Sequence, residues 1–253
     1  MARSILYLDG SDLERDWEAL VRFRLTYDGP LYSNPAPLPP SDPDDLTKWR
    51  AKFARRVEHK HCLRRHFHKQ LKELWANHKY LSKYTQHPGV MHPILPEGAG
   101  SALAKKTNNE RRPLAEILGD VYGHHGYRYA PLVWKENDLY CSLRILCLRR
   151  DHPGAVLPTR DIDNRIKTLV DALTMPPNSQ GSPMKDGEPL PPQEGEDPFY
   201  VLLDDDRQVT HLEVETDTAL ELPPNPEDES YVRLVITAEV RSHRQTSFNQ
   251  MFV

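Results

Sequence analysis

In the segment YVRLVITAEV (231–240) every second residue from Val232 to Val240 is apolar. In LYCSLRILCL (139–148) the odd-numbered positions Leu139, Cys141, Leu143, Ile145 and Cys147 form a second such row. A period of two marks a strand with one buried face. Two such strands require a sheet covered on one side, and the covering layer must itself be apolar along a stripe. DIDNRIKTLVDALT (161–174) supplies that stripe. Its Ile162, Ile166, Leu169, Val170 and Leu173 recur at three and four, which predicts an amphipathic helix capped by Asp161 or Asp163. VRFRLTY (21–27), FYVLL (199–203) and VTHLEVE (209–215) read as further strands. YAPLVW (129–134) is expected to pair with 139–148 as a hairpin around KEND (135–138). The expected fold is α+β, a mixed β-sheet of four to five strands with helices packed on it, in a single domain over 1–253.

Two segments elaborate this plan. Residues 31–128 form an N-terminal addition. A proline-rich loop opens it, a helix is predicted over 44–83, irregular chain over 85–110 and a short helix over 111–122. A short helix is also expected at 11–19. Residues 175–198 hold seven prolines and no periodicity, and read as a loop insertion.

The net charge of −4 conceals a segregation. From Lys48 to Lys83 there are twelve Lys or Arg against two acids, with aromatic residues interleaved; from Met184 to Ser230 there are fifteen acids against two bases. A basic helix of this kind suits a phosphate backbone, because each cation placed on a phosphate releases a condensed counterion. An acidic stretch can approach nucleic acid only where its carboxylates hold a divalent cation. No apolar run reaches the length of a membrane span, and the N-terminus turns acidic before a signal-like apolar core develops. Three cysteines (Cys62, Cys141, Cys147) fit neither a disulfide framework nor a zinc pattern. His59, His61, His66 and His68 do not suggest zinc either, since residues two apart on a helix face different ways. A cytoplasmic protein without membrane contact is expected.

Two acidic clusters stand out: DIDN (161–164), opening the amphipathic helix, and LDDDRQ (203–208), just before a strand. Each alone is ordinary, since acids are favoured in first helical turns and in turns generally. Drawn together, three or four carboxylates would repel one another unless a divalent cation neutralised them. Mg²⁺ takes a few carboxylate oxygens and keeps room for a phosphate oxygen. Lys167 lies one helical turn after Asp163, at ion-pair spacing.

DIDN-x-x-K, then DAL (171–173), then DD-x-Q (205–208) and a strand, in that order, resembles the RusA-like Holliday junction resolvases. The resemblance covers roughly residues 129–241. It implies that Asp161, Asp163 and Asp206 are Mg²⁺-binding catalytic carboxylates, with Mn²⁺ as a substitute, that Lys167 is the basic catalytic residue, and that Asp205 is an auxiliary ligand. It implies a homodimer that resolves branched DNA, such as a Holliday junction, by phosphodiester hydrolysis. Asn164, Arg165 and Arg207 lie within the motifs and are expected to bind substrate: Asn164 either orients a carboxylate or contacts the phosphate, and Arg165 and Arg207 touch flanking phosphates. Lys52, Arg55, Arg56, Arg64, Arg65 and Lys69 of the basic helix are expected to contact the DNA backbone. Two other readings compete. One is a non-catalytic junction-binding protein retaining the fold; the other is an interaction protein whose acidic segment imitates a nucleic acid.

Overall fold

A computed structural model describes residues 22–33, 42–150, 161–178, 183–185, 188–221 and 230–249. In chain order the elements are β1 (Arg22–Pro30), α1 (Pro43–Asn77), β2 (Thr85–Gln86), α2 (Ala99–Lys106), β3 (Arg112–Pro113), α3 (Leu114–Val121), β4 (Gly123–His124), β5 (Tyr127–Val133) and β6 (Leu139–Arg149). There follow α4 (Asp161–Leu173), β7 (Met184–Lys185), β8 (Glu188–Pro189), β9 (Phe199–Leu203), β10 (Val209–Thr218) and β11 (Tyr231–Ser242). The helix expected at 11–19 lies outside the described residues, as does most of the proline-rich segment after β1.

The fold is α+β. Its main sheet has the order β1-β11-β6-β10, with β6 and β10 parallel and the other pairs antiparallel. The alternation sets which face is covered: Val232, Leu234, Ile236, Ala238 and Val240 of β11 meet Cys141, Leu143, Ile145 and Cys147 of β6 in one buried layer. On that layer lies α4, burying Ile162, Ile166, Leu169 and Leu173 as its spacing predicts. Parallel pairing of β6 with β10 requires a crossover, and α4 provides its helical part.

The expected hairpin does not form. β5 belongs to a second sheet of order β4-β5-β9, where it runs parallel to β9, while β6 belongs to the main sheet. The reason is visible in burial. Tyr127 and the whole run Tyr129–Val133 are buried, so both faces of β5 are covered, whereas β6 has one covered face. A strand buried on both sides is characteristic of parallel pairing between covering layers. The intervening residues form a 3-10 turn, Lys135–Asn137, ending at Asp138 with φ 57°.

The elaborations are more ordered than their composition suggests. Residues 85–110, expected to be irregular, contain a 3-10 helix (Pro88–Ile94) and α2. Met91, Ile94, Leu95, Leu103, Leu114, Ile117 and Leu118 join the same core as the main sheet. Trp134 secures this part by donating its indole N–H to the Ile94 carbonyl at 2.7 Å. Within 175–198, β7 pairs with β8, and Met175 N–H donates to the Leu203 carbonyl at 2.8 Å.

The long helix α1 organises the rest. Leu63, Phe67, Leu71 and Trp75 are buried at helical spacing. Its basic residues do not all face outward, contrary to the reading from sequence. Arg64 is buried, donating from Nε to the Thr174 carbonyl at 2.9 Å and from Nη2 to the Asp171 carbonyl at 2.7 Å. These are carbonyls at the end of α4 that lack an intrahelical partner, so Arg64 caps that helix. Arg64→Ala should therefore lower stability by about 3 kcal/mol, two charge-assisted hydrogen bonds being lost, with Arg64→Lys recovering only part because one ammonium cannot span both carbonyls. Urea denaturation followed by circular dichroism measures both.

Candidate active site

The last turn of α4 and the segment after β9 are tied together. Thr174 forms a parallel bridge with Leu203, and the acids Asp204, Asp205 and Asp206 follow at once. This brings Asp171, from the first motif segment, into one cleft with the acids of the second. The cleft, of about 260 Å³, is lined by Lys60, Arg64, Asp171, Thr174, Met175, Pro177 and Asp204–Asp206.

Each acid has a distinct environment. Asp171 accepts a hydrogen bond from Lys60 Nζ at 2.6 Å, a pair that is largely shielded from solvent. Asp205 caps the 3-10 turn Asp206–Gln208: its Oδ1 accepts from Arg207 N–H at 2.9 Å, while its own N–H donates to Gln208 Oε1 at 2.9 Å. The buried Gln208 of the DD-x-Q motif thus closes a capping box, which fixes the direction of the acidic turn. Asp206 is exposed, and its carboxyl is raised above the usual range by desolvation, then by the adjoining Asp205 and the charge of Asp171. Burial pushes Asp204 up to about 6, against a weak 3.4 Å hydrogen bond from Lys135 N–H. Its Oδ1 is buried with no hydrogen-bond partner among the described residues.

The carboxylates expected on α4 are distributed differently. The Asp161 side chain lies outside the described residues. Asp163 and Lys167 are exposed, and with Asp171 they form an i, i+4, i+8 row. Asp163 therefore stands about 12 Å along the axis from Asp171. The structure brings Asp205 and Asp206 together with Asp171, and leaves Asp163 and Lys167 further up the same helix face. Asn164 is half-buried, Arg165 is buried, and Arg207 is exposed, 3.9 Å from Asp205. Among the described residues, no group of three or more His, Cys, Asp or Glu side chains is arranged to hold a metal ion. The donor chemistry nevertheless fits a hard divalent cation. The cleft offers only carboxylate oxygens as anionic donors, one of them without a partner, and Asp206 is under like-charge strain that such a cation relieves.

The basic helix divides into two groups. Arg64 caps α4, and Arg65 pairs with Glu196 at 2.9 Å while donating to the Pro191 carbonyl at 3.0 Å. Both are committed to the interior contacts of α1, which corrects their expected role on DNA. Lys69 is exposed. Lys52, Arg55 and Arg56 line a cavity of about 520 Å³ with Tyr32, Ser33, His59 and Thr168. The histidines of this stretch also serve packing. His68 accepts from Tyr200 N–H at 2.9 Å and stacks on Phe199, and His61 lies 3.1 Å from the Tyr127 hydroxyl. Burial, with help from Arg65 and Arg64, lowers His61 to about 3, so it stays neutral.

Lys60, Asp171 and Asp204 had no assigned role in the sequence reading. Asp171 carried a signal there, since it opens the DAL triplet and shares a face with Asp163 and Lys167. Lys60 carried none, being one base among twelve. Comparison with protein-family models, curated proteins and solved structures found no match.

Two predictions follow from the geometry of the cleft. Lys60→Met should destabilise the protein by about 2–4 kcal/mol in urea titrations, because it leaves Asp171 uncompensated beside three more carboxylates. The folded state holds Asp204 near 6, above its unfolded value of about 4. The group's favourable contribution is complete below pH 4 and is lost as pH rises to about 6. Asp204→Asn should accordingly be more stable than the parent at pH 8, by about 1–2 kcal/mol given its partial exposure, with the difference vanishing toward pH 4. Thermal melts across that range measure it.

Proposed function

We propose that this chain is a Mg²⁺-dependent endonuclease that cuts branched DNA, of the RusA-like kind. One observation carries the reading. Two acidic motif segments far apart in the chain meet in a single cleft, and Lys52, Arg55 and Arg56, which have no carboxylate partner among the described residues, lie one to two helical turns before Lys60 on α1. The motif order and the helix–turn–strand setting of both motifs support it.

In this reading Asp206, Asp205 and Asp171 would hold the cation in the cleft, while Asp163, about 12 Å further up α4, stands too far away to share that ion and would act on the phosphate path along the helix face. Bound Mg²⁺ supplies Lewis acidity toward a phosphate oxygen. The chain's own residues do the rest. Lys60 neutralises Asp171, which keeps the summed negative charge of the cleft from repelling the backbone. Lys167 presents an ammonium on the exposed face of α4, where negative charge develops on the phosphate. Arg207 and Lys69, both exposed, contact flanking phosphates. No described helix is long and apolar enough to cross a membrane, and the reading takes the protein as cytoplasmic.

The reading includes a homodimer. β10 is an edge of the main sheet, and Leu212 and Val214 lie on its core-facing side, beside the buried Leu143 and Ile145. They are nevertheless 45% and 38% exposed. A second copy would cover this uncovered end of the apolar layer. Sedimentation velocity should find a dimer, and Leu212→Glu with Val214→Glu should yield a folded monomer.

Cleavage of a four-way junction and of linear duplex in Mg²⁺ or Mn²⁺ tests the activity. Asp206→Asn and Asp163→Asn should each lose at least about 100-fold in cutting while keeping junction affinity within a few-fold. Equal cutting by both variants removes the site. Tight junction binding by the parent protein with no metal-dependent turnover selects the non-catalytic binding protein instead.

A further inference from the structure

The cavity beside the acidic cleft has a composition that the cleft chemistry does not use. Lys52, Arg55, Arg56 and His59 occupy positions i, i+3, i+4 and i+7 of α1, so they share one face. Among the described residues none of the three cations has a carboxylate within ion-pair distance, whereas Lys60, Arg65, Arg112 and Arg128 all do. Three uncompensated cations around one concavity lower the energy of an anion placed there. The lining also includes Ser33, whose hydroxyl can donate to a phosphate oxygen, and the buried Thr168, whose hydroxyl donates to the Asn164 carbonyl at 2.9 Å.

The rim carries an aromatic ring. Tyr32 is 49% exposed, and its ring centroid lies 4.7 Å from that of His59. The Tyr32 backbone N–H donates to His59 Nε2 at 3.3 Å, which fixes the chain around this ring. Burial lowers His59 below its ordinary range, so it remains a neutral acceptor at pH 7 and leaves the positive charge to Lys52, Arg55 and Arg56. A large aromatic ring held with half its surface in solvent, at the mouth of a cationic cavity, matches the stacking platform on which unpaired bases are held.

The position relative to the cleft sets what passes through. Lys60 follows His59 directly on α1, and Asp171 stands one turn beyond Thr168 on α4, about 4.5 Å along the axis. One strand of a nucleic acid carries a phosphate about every 3.4 Å of rise. The cations of the cavity, Arg56, Arg55 and Lys52, precede Lys60 by about 6 to 12 Å along α1, so cavity and cleft lie about two to four such steps apart along the same pair of helices.

We infer that the Tyr32–Lys52–Arg55–Arg56 cavity binds a nucleotide of an unpaired DNA strand next to the cleft. Its phosphate sits among the three cations and its base stacks on Tyr32. The inference rests on the nuclease reading only for the identity of the polymer, and it names the feature recognised: a single-stranded arm or gap at the branch point. A base inside a duplex is stacked on both sides and cannot reach the ring.

Fluorescence anisotropy without divalent cation tests this, using three labelled probes of equal length: single-stranded DNA, duplex, and a fork with one unpaired arm. Tyr32→Ala should weaken the single strand and fork by roughly tenfold or more and change duplex affinity less than twofold, and Tyr32→Phe should bind like the parent protein. Lys52→Ala with Arg56→Ala should weaken all three probes and reduce the slope of log affinity against log salt by about two. Equal effects of Tyr32→Ala on all probes, or none, overturn the stacking site. An unchanged salt slope overturns the phosphate site. The measurement needs no turnover, so an inactive protein that still shows this discrimination sinks the nuclease reading while leaving the cavity assignment standing.

Discussion

The contact between α1 and α4 is what the candidate site depends on. Lys60 meets the Asp171 side chain, and Arg64 meets the carbonyls of Asp171 and Thr174. As α1 advances from 60 to 64, α4 advances from 171 to 174, so the two helices pass one another in the same direction. Carbonyl ends of helices are poorly satisfied and electronegative, and a guanidinium is the natural partner for two of them at once. By closing the end of α4, this contact also fixes where the chain emerges to meet β9. The acids after β9 then have only one place to go, beside Asp171.

An acidic cleft and a basic cavity, neighbours on the same pair of helices, result. In the cleft four carboxylates are crowded, with Asp204 and Asp206 both titrating above the ordinary range because desolvation and neighbouring acids disfavour their ionised forms. In the cavity three cations, Lys52, Arg55 and Arg56, have no carboxylate partner among the described residues. In the proposed nuclease, a polyanion could not approach the acidic cleft alone, and the basic cavity alone would bind it without chemistry. Their adjacency on one helix pair makes a functional reading coherent. The same logic explains why Lys60 is inside: it lowers the net charge of the cleft without blocking its mouth.

Much of the fold was legible. The alternation in 139–148 and 231–240 and the stripe of 161–174 correspond to observed elements with the expected buried faces, and the helix expected over 44–83 is observed as α1, ending at Asn77. The hairpin failed for a reason present in the residues themselves. YAPLVW is a continuous apolar run, which marks a strand covered on both faces, while LYCSLRILCL alternates. Treating the two as one local unit overlooked that difference. The irregular reading of 85–110 failed because prolines and glycines there start and stop short helices rather than forbid them.

The sequence by itself determined the elements, the apolar faces and the segregation of charge, because periodicity and composition are local properties that each segment carries alone. It also determined that acids and bases would be concentrated in separate segments. Only the tertiary structure decided which of them meet. Arg64 and Lys52 lie on one helix in similar company, yet one closes the end of α4 and the other faces an open cavity, since a helix surrounded by α4, β1 and β9 has several buried faces. Asp171 joins Asp205 and Asp206 through a backbone bridge between Thr174 and Leu203, a register that no spacing along the chain encodes.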